Sequence, residues 1–299
     1  MQRALSILSS ARFSAPLSCA LALSRIRADS GLDFSTARAR AGFARGHLLE
    51  VVVYLPGGSG NTFESEAAEE LVRLLLGEEL FERWIGGVLA TPTVRSGLLT
   101  VLNENAEDRS ALPIGTLLDS VRAAIAGLRL GLRVLPPMAA EDSADWVAFE
   151  LEPERAADYA AQDDLLWCST RTPEPKKSFL QGEPFYSGRF CKSEALFVYL
   201  KYEANESEPE RRLAERTRLE ELVSRTLGPA QATLVGLGFG LRYDYLDLAV
   251  ADPSCIRKQL LLPMQAMKIS PRAWFLFCDS ELEREYIPVH ADTPEPYWG

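Results

Sequence analysis

Apolar residues along this chain cluster in short runs of strand length, separated by stretches in which they recur every three or four positions. Residues 51–54 and 195–199 are apolar at consecutive positions, the pattern of strands covered on both faces. After 195–202 the pattern predicts a helix that opens at the capping box Ser207-x-x-Glu210. It carries Leu213, Leu219, Leu222, Val223 and Leu227 largely on one face and stops at Gly228-Pro229. Residues 232–241 and 246–250 read as strands. Asp252-Pro253 starts a second helix, with aspartate as N-cap and proline where its missing N–H costs nothing. That helix bends at Pro263, runs to Met267 and gives way to a closing strand at 274–278.

The first half reads in the same order: strand 48–55, helix 66–84, strands 88–91 and 98–103, helix 113–127 and strand 146–151. Ile114, Leu117, Leu118, Val121, Ile125 and Leu128 give its second helix an apolar stripe. Alternating Leu128, Leu130, Leu132 and Val134 predict a strand-like arm before Pro136-Pro137. Three short matches recur in order. Val53-Tyr54-Leu55 returns as Val198-Tyr199-Leu200, and Glu69-Glu70-Leu71-Val72 as Glu220-Glu221-Leu222-Val223. Trp146-Val147-Ala148-Phe149 returns as Trp274-Phe275-Leu276-Phe277.

Strand, helix, strand, strand, helix, strand is the βαββαβ order of a ferredoxin-like unit. The expected fold is therefore α+β: a tandem ferredoxin-like (βαββαβ) repeat forming a pseudo-symmetric two-sheet unit. Residues 1–45 would be a transit-like or disordered N-terminal segment, 46–159 the first unit, 160–194 a linker and 195–299 the second unit. The element order is similar to that of the dimeric α/β-barrel proteins, some of which are haem enzymes or small oxygenases. Neither histidine, His47 or His290, stands on an expected helix, which disfavours haem.

Composition changes the picture in two ways. At 299 residues, 47% hydrophobic and 25% charged, the chain is an ordinary globular sequence long enough for two domains. No apolar run of about 18 residues occurs, so no membrane-spanning segment is expected. Charge is uneven: the first 45 residues carry seven arginines and two acids, net +5, within a chain of net −10, which leaves −15 on residues 46–299. Such a body repels phosphate backbones and favours a basic protein partner over nucleic acid.

The first 28 residues hold no acid, four arginines and six serines, the composition of a transit peptide, which points to the matrix side of mitochondria. The alternative is a bacterial cytoplasmic protein whose translation begins near Gly46. Five cysteines, odd in number and without a C-x-x-C spacing, indicate neither a disulfide framework nor a zinc ribbon.

Candidate chemistry is sparse. Gly57, Gly58, Ser59 and Gly60 follow a strand and precede a helix, so their amides could cradle an anion, but the lysine of a phosphate-binding loop is missing and a flexible turn is the plainer reading. Gly236, Gly238 and Gly240 lie inside a strand, where glycines mark a bulge or a close approach of another backbone, and are read as the place where the two sheets or a partner come near. Cys255 sits where helix amides could lower a thiol pKa, against the plainer reading of a buried small hydrophobe. Glu281, Glu283, Glu285, His290 and Asp292 read as a solvated edge rather than a metal site.

Arg242, Tyr243, Asp244 and Tyr245, with Tyr297 and Trp298, form the candidate protein interface, since arginine and aromatics anchor such surfaces. No catalytic, cofactor-binding or metal-binding set emerges. The expected function is a non-catalytic protein-binding component, an accessory or assembly subunit of a larger mitochondrial complex. One alternative is an acidic bacterial immunity protein that blocks a basic toxin site. Another is an enzyme with a ligand cleft between two α/β units.

Overall fold

A computed structural model describes residues 13–92, 111–136, 146–153, 160–193, 195–204 and 208–298. The protein is mixed α+β, with a four-stranded and a seven-stranded sheet and seven α-helices among the described residues. The chain divides into two units, residues 1–131 and 132–299.

The first unit runs α1 (Cys19–Ser30), β1 (Arg38–Phe43), β2 (Leu49–Tyr54), α2 (Thr62–Leu76), α3 (Glu78–Trp84), β3 (Ile85–Thr91), β4 (Leu112–Pro113) and α4 (Leu117–Gly131). Its sheet has the order β3-β2-β1-β4, with β1 antiparallel to β2 and β4, and β2 parallel to its neighbour β3. Leu49, Val51 and Val53 of β2, Leu71 and Val72 of α2 and Val121 of α4 are buried. Residues 13–45 are part of this fold: α1 packs on α2, and β1 is a central strand.

The single helix expected over 66–84 is two. Gly77, at φ 79°, breaks it, and a Cβ there would stand 2.8 Å from Pro16 Cδ, so only glycine lets residues 14–16 cross at this point. That crossing is fastened by Leu17 N–H donating to the Leu74 carbonyl (2.8 Å). Residues 128–131 continue α4 instead of forming a strand-like arm. The expected strand 98–103 and the Ser207 cap lie outside the described residues.

The second unit holds β5 (Val147–Glu150), β6 (Leu165–Thr170), α5 (Pro173–Leu180), β7 (Leu196–Glu203), α6 (Pro209–Thr226), β8 (Ala232–Gly240), β9 (Tyr243–Val250), α7 (Leu261–Ala266), β10 (Ala273–Phe277) and β11 (Tyr286–Pro288). All neighbours in its sheet are antiparallel, in the order β11-β10-β7-β9-β8-β6-β5. From β7 to β10 the chain follows βαββαβ with spatial order fourth, first, third, second, the split arrangement read from the sequence. A π-helical turn at Ile256–Leu260 precedes Pro263, which cannot donate a backbone hydrogen bond.

The expected organisation needs three corrections, the first being that residues 13–45 are no transit-like or disordered segment but carry α1 and β1 of the first unit. In the first unit β2 and β3 are adjacent and parallel, with no strand between them, so the described sheets are not two copies of one topology. Residues 160–194 are no linker: they contribute β6 and α5 to the second unit, and the expected first-unit strand at 146–151 is β5 of the same sheet.

The seven-stranded sheet is buried on both faces. Val198, Leu200, Tyr202, Leu246, Leu248 and Phe275 pack against Leu219, Leu222 and Val223 of α6, Ile256 and Leu260 of the π turn, and Met264 of α7. The opposite face carries Phe197, Tyr199, Lys201, Tyr243, Tyr245 and Asp247 beneath the segment 160–190.

Candidate ligand cleft

Residues 160–164 form a strap across the second sheet face, and buried polar side chains hold almost every step of it. The Tyr199 hydroxyl donates to the Ala160 carbonyl (2.7 Å) and the Lys201 ammonium to that of Ala161 (2.8 Å). Gln162 donates through Nε2 to Asp247 Oδ1 (3.0 Å) and accepts at Oε1 from Lys176 Nζ (2.6 Å). Lys176 closes the ring by donating to Asp247 Oδ2 at 2.8 Å. Asp164 accepts from the backbone amides of Arg242 and Tyr243, both at 3.0 Å, and from the Tyr245 hydroxyl. Each charge on this face is thus paired or hydrogen-bonded, as burial requires.

The glycine run in β8 makes room for these anchors. A Cβ at Gly236 would lie 2.5 Å from Asp247 Oδ2, one at Gly238 2.6 Å from Leu165 Cδ2, and one at Gly240 2.5 Å from the Asp164 carboxylate. What comes close to these glycines is neither another sheet nor another backbone but side chains of the same sheet and strap.

Between the strap, α5 with its C-terminal turn, and the C-terminal residues lies a cleft of about 710 Å³. Its volume falls in the range of about 300–1,000 Å³ that ligand sites occupy. Phe179, Tyr199, Phe277, Tyr297 and Trp298 give it aromatic walls, and Glu152, Asp163, Glu183 and Glu283 supply four carboxylates. No lysine, arginine or histidine is among its described lining residues. Behind the Lys176–Asp247–Gln162 ring is a second pocket of about 20 Å³, room for about one water.

Burial sets the protonation state of two residues that line the cleft. Burial pushes the Tyr199 phenol well above its ordinary value, and Cys278, Asp247 and Asp163 push it further. The Cys278 thiol rises well above its ordinary value through burial, then Asp247 and Asp279, against the opposing Lys176. Both are held protonated and are therefore weak nucleophiles.

The structure scatters the residues singled out from the sequence. Tyr297 and Trp298 line the cleft. Tyr243, Asp244 and Tyr245 are fully buried in β9, so they form no exposed tip; only Arg242 reaches solvent, paired with Glu203 at 2.6 Å. The amides of Ser59 (2.9 Å) and Gly60 (2.6 Å) do form an anion cradle, and the carboxylate of Glu64 fills it, while Gly57 at φ 81° makes the turn. Those bonds, the Ser59 amide foremost, lower the Glu64 pKa although partial burial opposes them. Cys255 is buried in the helix-side core and its thiol is raised by that burial, then by Asp252, the reading of a small hydrophobe. Among the tail acids, Glu283 lines the cleft; His290 Nε2 lies 3.0 Å from the Ile269 carbonyl, and no metal-type cluster occurs among the described residues.

Sequence reasoning missed Lys176, Asp247, Gln162 and Tyr199. One signal was present: Asp247 breaks the apolar run of β9, and a charge in a strand covered on both faces needs a partner. No protein-family model, no curated protein and no solved structure matches the chain.

Proposed function

We propose that this chain is a non-catalytic protein-binding component, an accessory or assembly subunit of a larger mitochondrial complex, and that its partner is basic. The observation that carries this reading is the cleft of the second unit, with four carboxylates and no cation among its described lining residues, on a chain of net charge −10. Complementary charge speeds encounter and selects partners. The protonated thiol and phenol at the cleft support binding without turnover.

An acidic inhibitor that blocks a basic toxin site draws on the same charge. Its form beginning near Gly46 would lack β1, a central strand, so that version has no support. Import would likewise use residues ahead of α1, because α1 packs on α2 and β1 completes the four-stranded sheet.

Native mass spectrometry of the protein isolated from its source tests the proposal. The expected result is an assembly with a second, basic polypeptide that dissociates as salt is raised. A solitary chain that binds and converts a small molecule would overturn it.

A further inference from the structure

We infer that the second-unit cleft receives a lysine or arginine side chain of the basic partner, its charged head among Glu152, Asp163, Glu183 and Glu283 and its aliphatic stem against the aromatic walls; this rests on the partner class proposed above. The argument is one of complementarity. The lining combines four carboxylates with aromatic rings, so it disfavours an anion by charge and a purely apolar guest by the cost of desolvating the acids. Long basic side chains carry both requirements in one residue, an apolar stem and a cationic head.

The carboxylates are not equivalent. Glu183 accepts from the Ser178 hydroxyl at 2.7 Å and lies in the field of the buried Arg189, so part of its charge is already answered. Glu152 and Glu283 are exposed and so open to a partner arriving from solution. Aromatic lining suits a cation as well. The Phe179 and Tyr199 rings, both part of the lining, are 5.5 Å apart and tilted by 57° to each other. The same sheet face already holds a cation in this manner: the Lys201 ammonium lies 4.5 Å from the Tyr243 ring centre, within the reach of a cation–π contact. At about 710 Å³ the cleft has space for the side chain together with its flanking backbone.

The test titrates the isotope-labelled full chain with N-acetyl-arginine methylamide, and in parallel with the norleucine and glutamate analogues, monitoring amide and indole resonances. Saturable shifts at Gln181, Gly182, Cys278 and the Trp298 indole are expected with the arginine compound alone. The double variant Glu152→Gln/Glu283→Gln should weaken its binding about tenfold, which is about 1.4 kcal/mol. Glu208→Gln, which removes an exposed ion pair with Arg211 on α6, should leave it unchanged.

Shifts confined to other surfaces, equal binding of norleucine, or an unaffected double variant would overturn the inference. If a basic partner still binds the intact protein in a salt-sensitive way while the arginine compound avoids the cleft, this inference falls and the proposed function stands. If neither binds, both fall.

Discussion

At the scale of single residues, this molecule spends glycine and charge in pairs. Gly240 exists so that Asp164 can reach two backbone amides and the Tyr245 hydroxyl, and Gly236 so that Asp247 can meet Lys176 and Gln162. Because both carboxylates are fixed by several bonds, neither can swing away from a new methyl group. Gly240→Ala should therefore destabilise the second unit by about 1–3 kcal/mol, the cost of overpacking, measured by urea denaturation. Lys176→Met should cost more, about 3–5 kcal/mol, since it strands Asp247, whose side chain is only 14% exposed; adding Asp247→Asn should recover part of the loss. In the first unit, the Glu64 pKa lies below its ordinary 4.5, so the stability that the ionised group contributes is full above that value and is lost as pH falls through the folded-state pKa. Glu64→Gln should lower the melting temperature at neutral pH, and the gap from the parent protein should close in acid.

At the scale of elements, the outcome depends on which signals were local. The path from β7 through α6, β8, β9 and α7 to β10 was legible because apolar runs, the Asp252-Pro253 start and the Gly228-Pro229 stop are short-range chemistry. The first half misled for a physical reason: the repeat β2–α2 against β7–α6 is a strand and then a helix, and nothing local to it says whether the next strand lies beside the first or one place away. Nor could composition show that arginine-rich residues 38–43 form a strand, since β1 is defined by its partners β2 and β4. A chain lacking residues 1–45 should lose the four-stranded sheet and become protease-sensitive across the first unit, while one lacking residues 1–12 should retain it; circular dichroism and limited proteolysis distinguish the two. The cleft was the least legible feature of all. Its strap has the composition of a linker, and its acids arrive from four separated stretches of sequence that only folding brings to one mouth.

At the scale of the whole molecule, charge is the property that links architecture to role. A net charge of −10 sets the long-range field that an approaching partner meets, and no described helix is long and apolar enough to cross a membrane. The acidic cleft gives that diffuse charge a shaped place to act. The most direct measurement is a calorimetric titration of the intact protein with a short oligoarginine peptide and with its oligoglutamate counterpart, each at low and at high salt. The account predicts that oligoarginine binds, that raising the salt weakens it, that Glu152→Gln/Glu283→Gln weakens it further, and that oligoglutamate gives no heat. Equal binding of both peptides, or oligoarginine binding that neither salt nor the double variant alters, would contradict it.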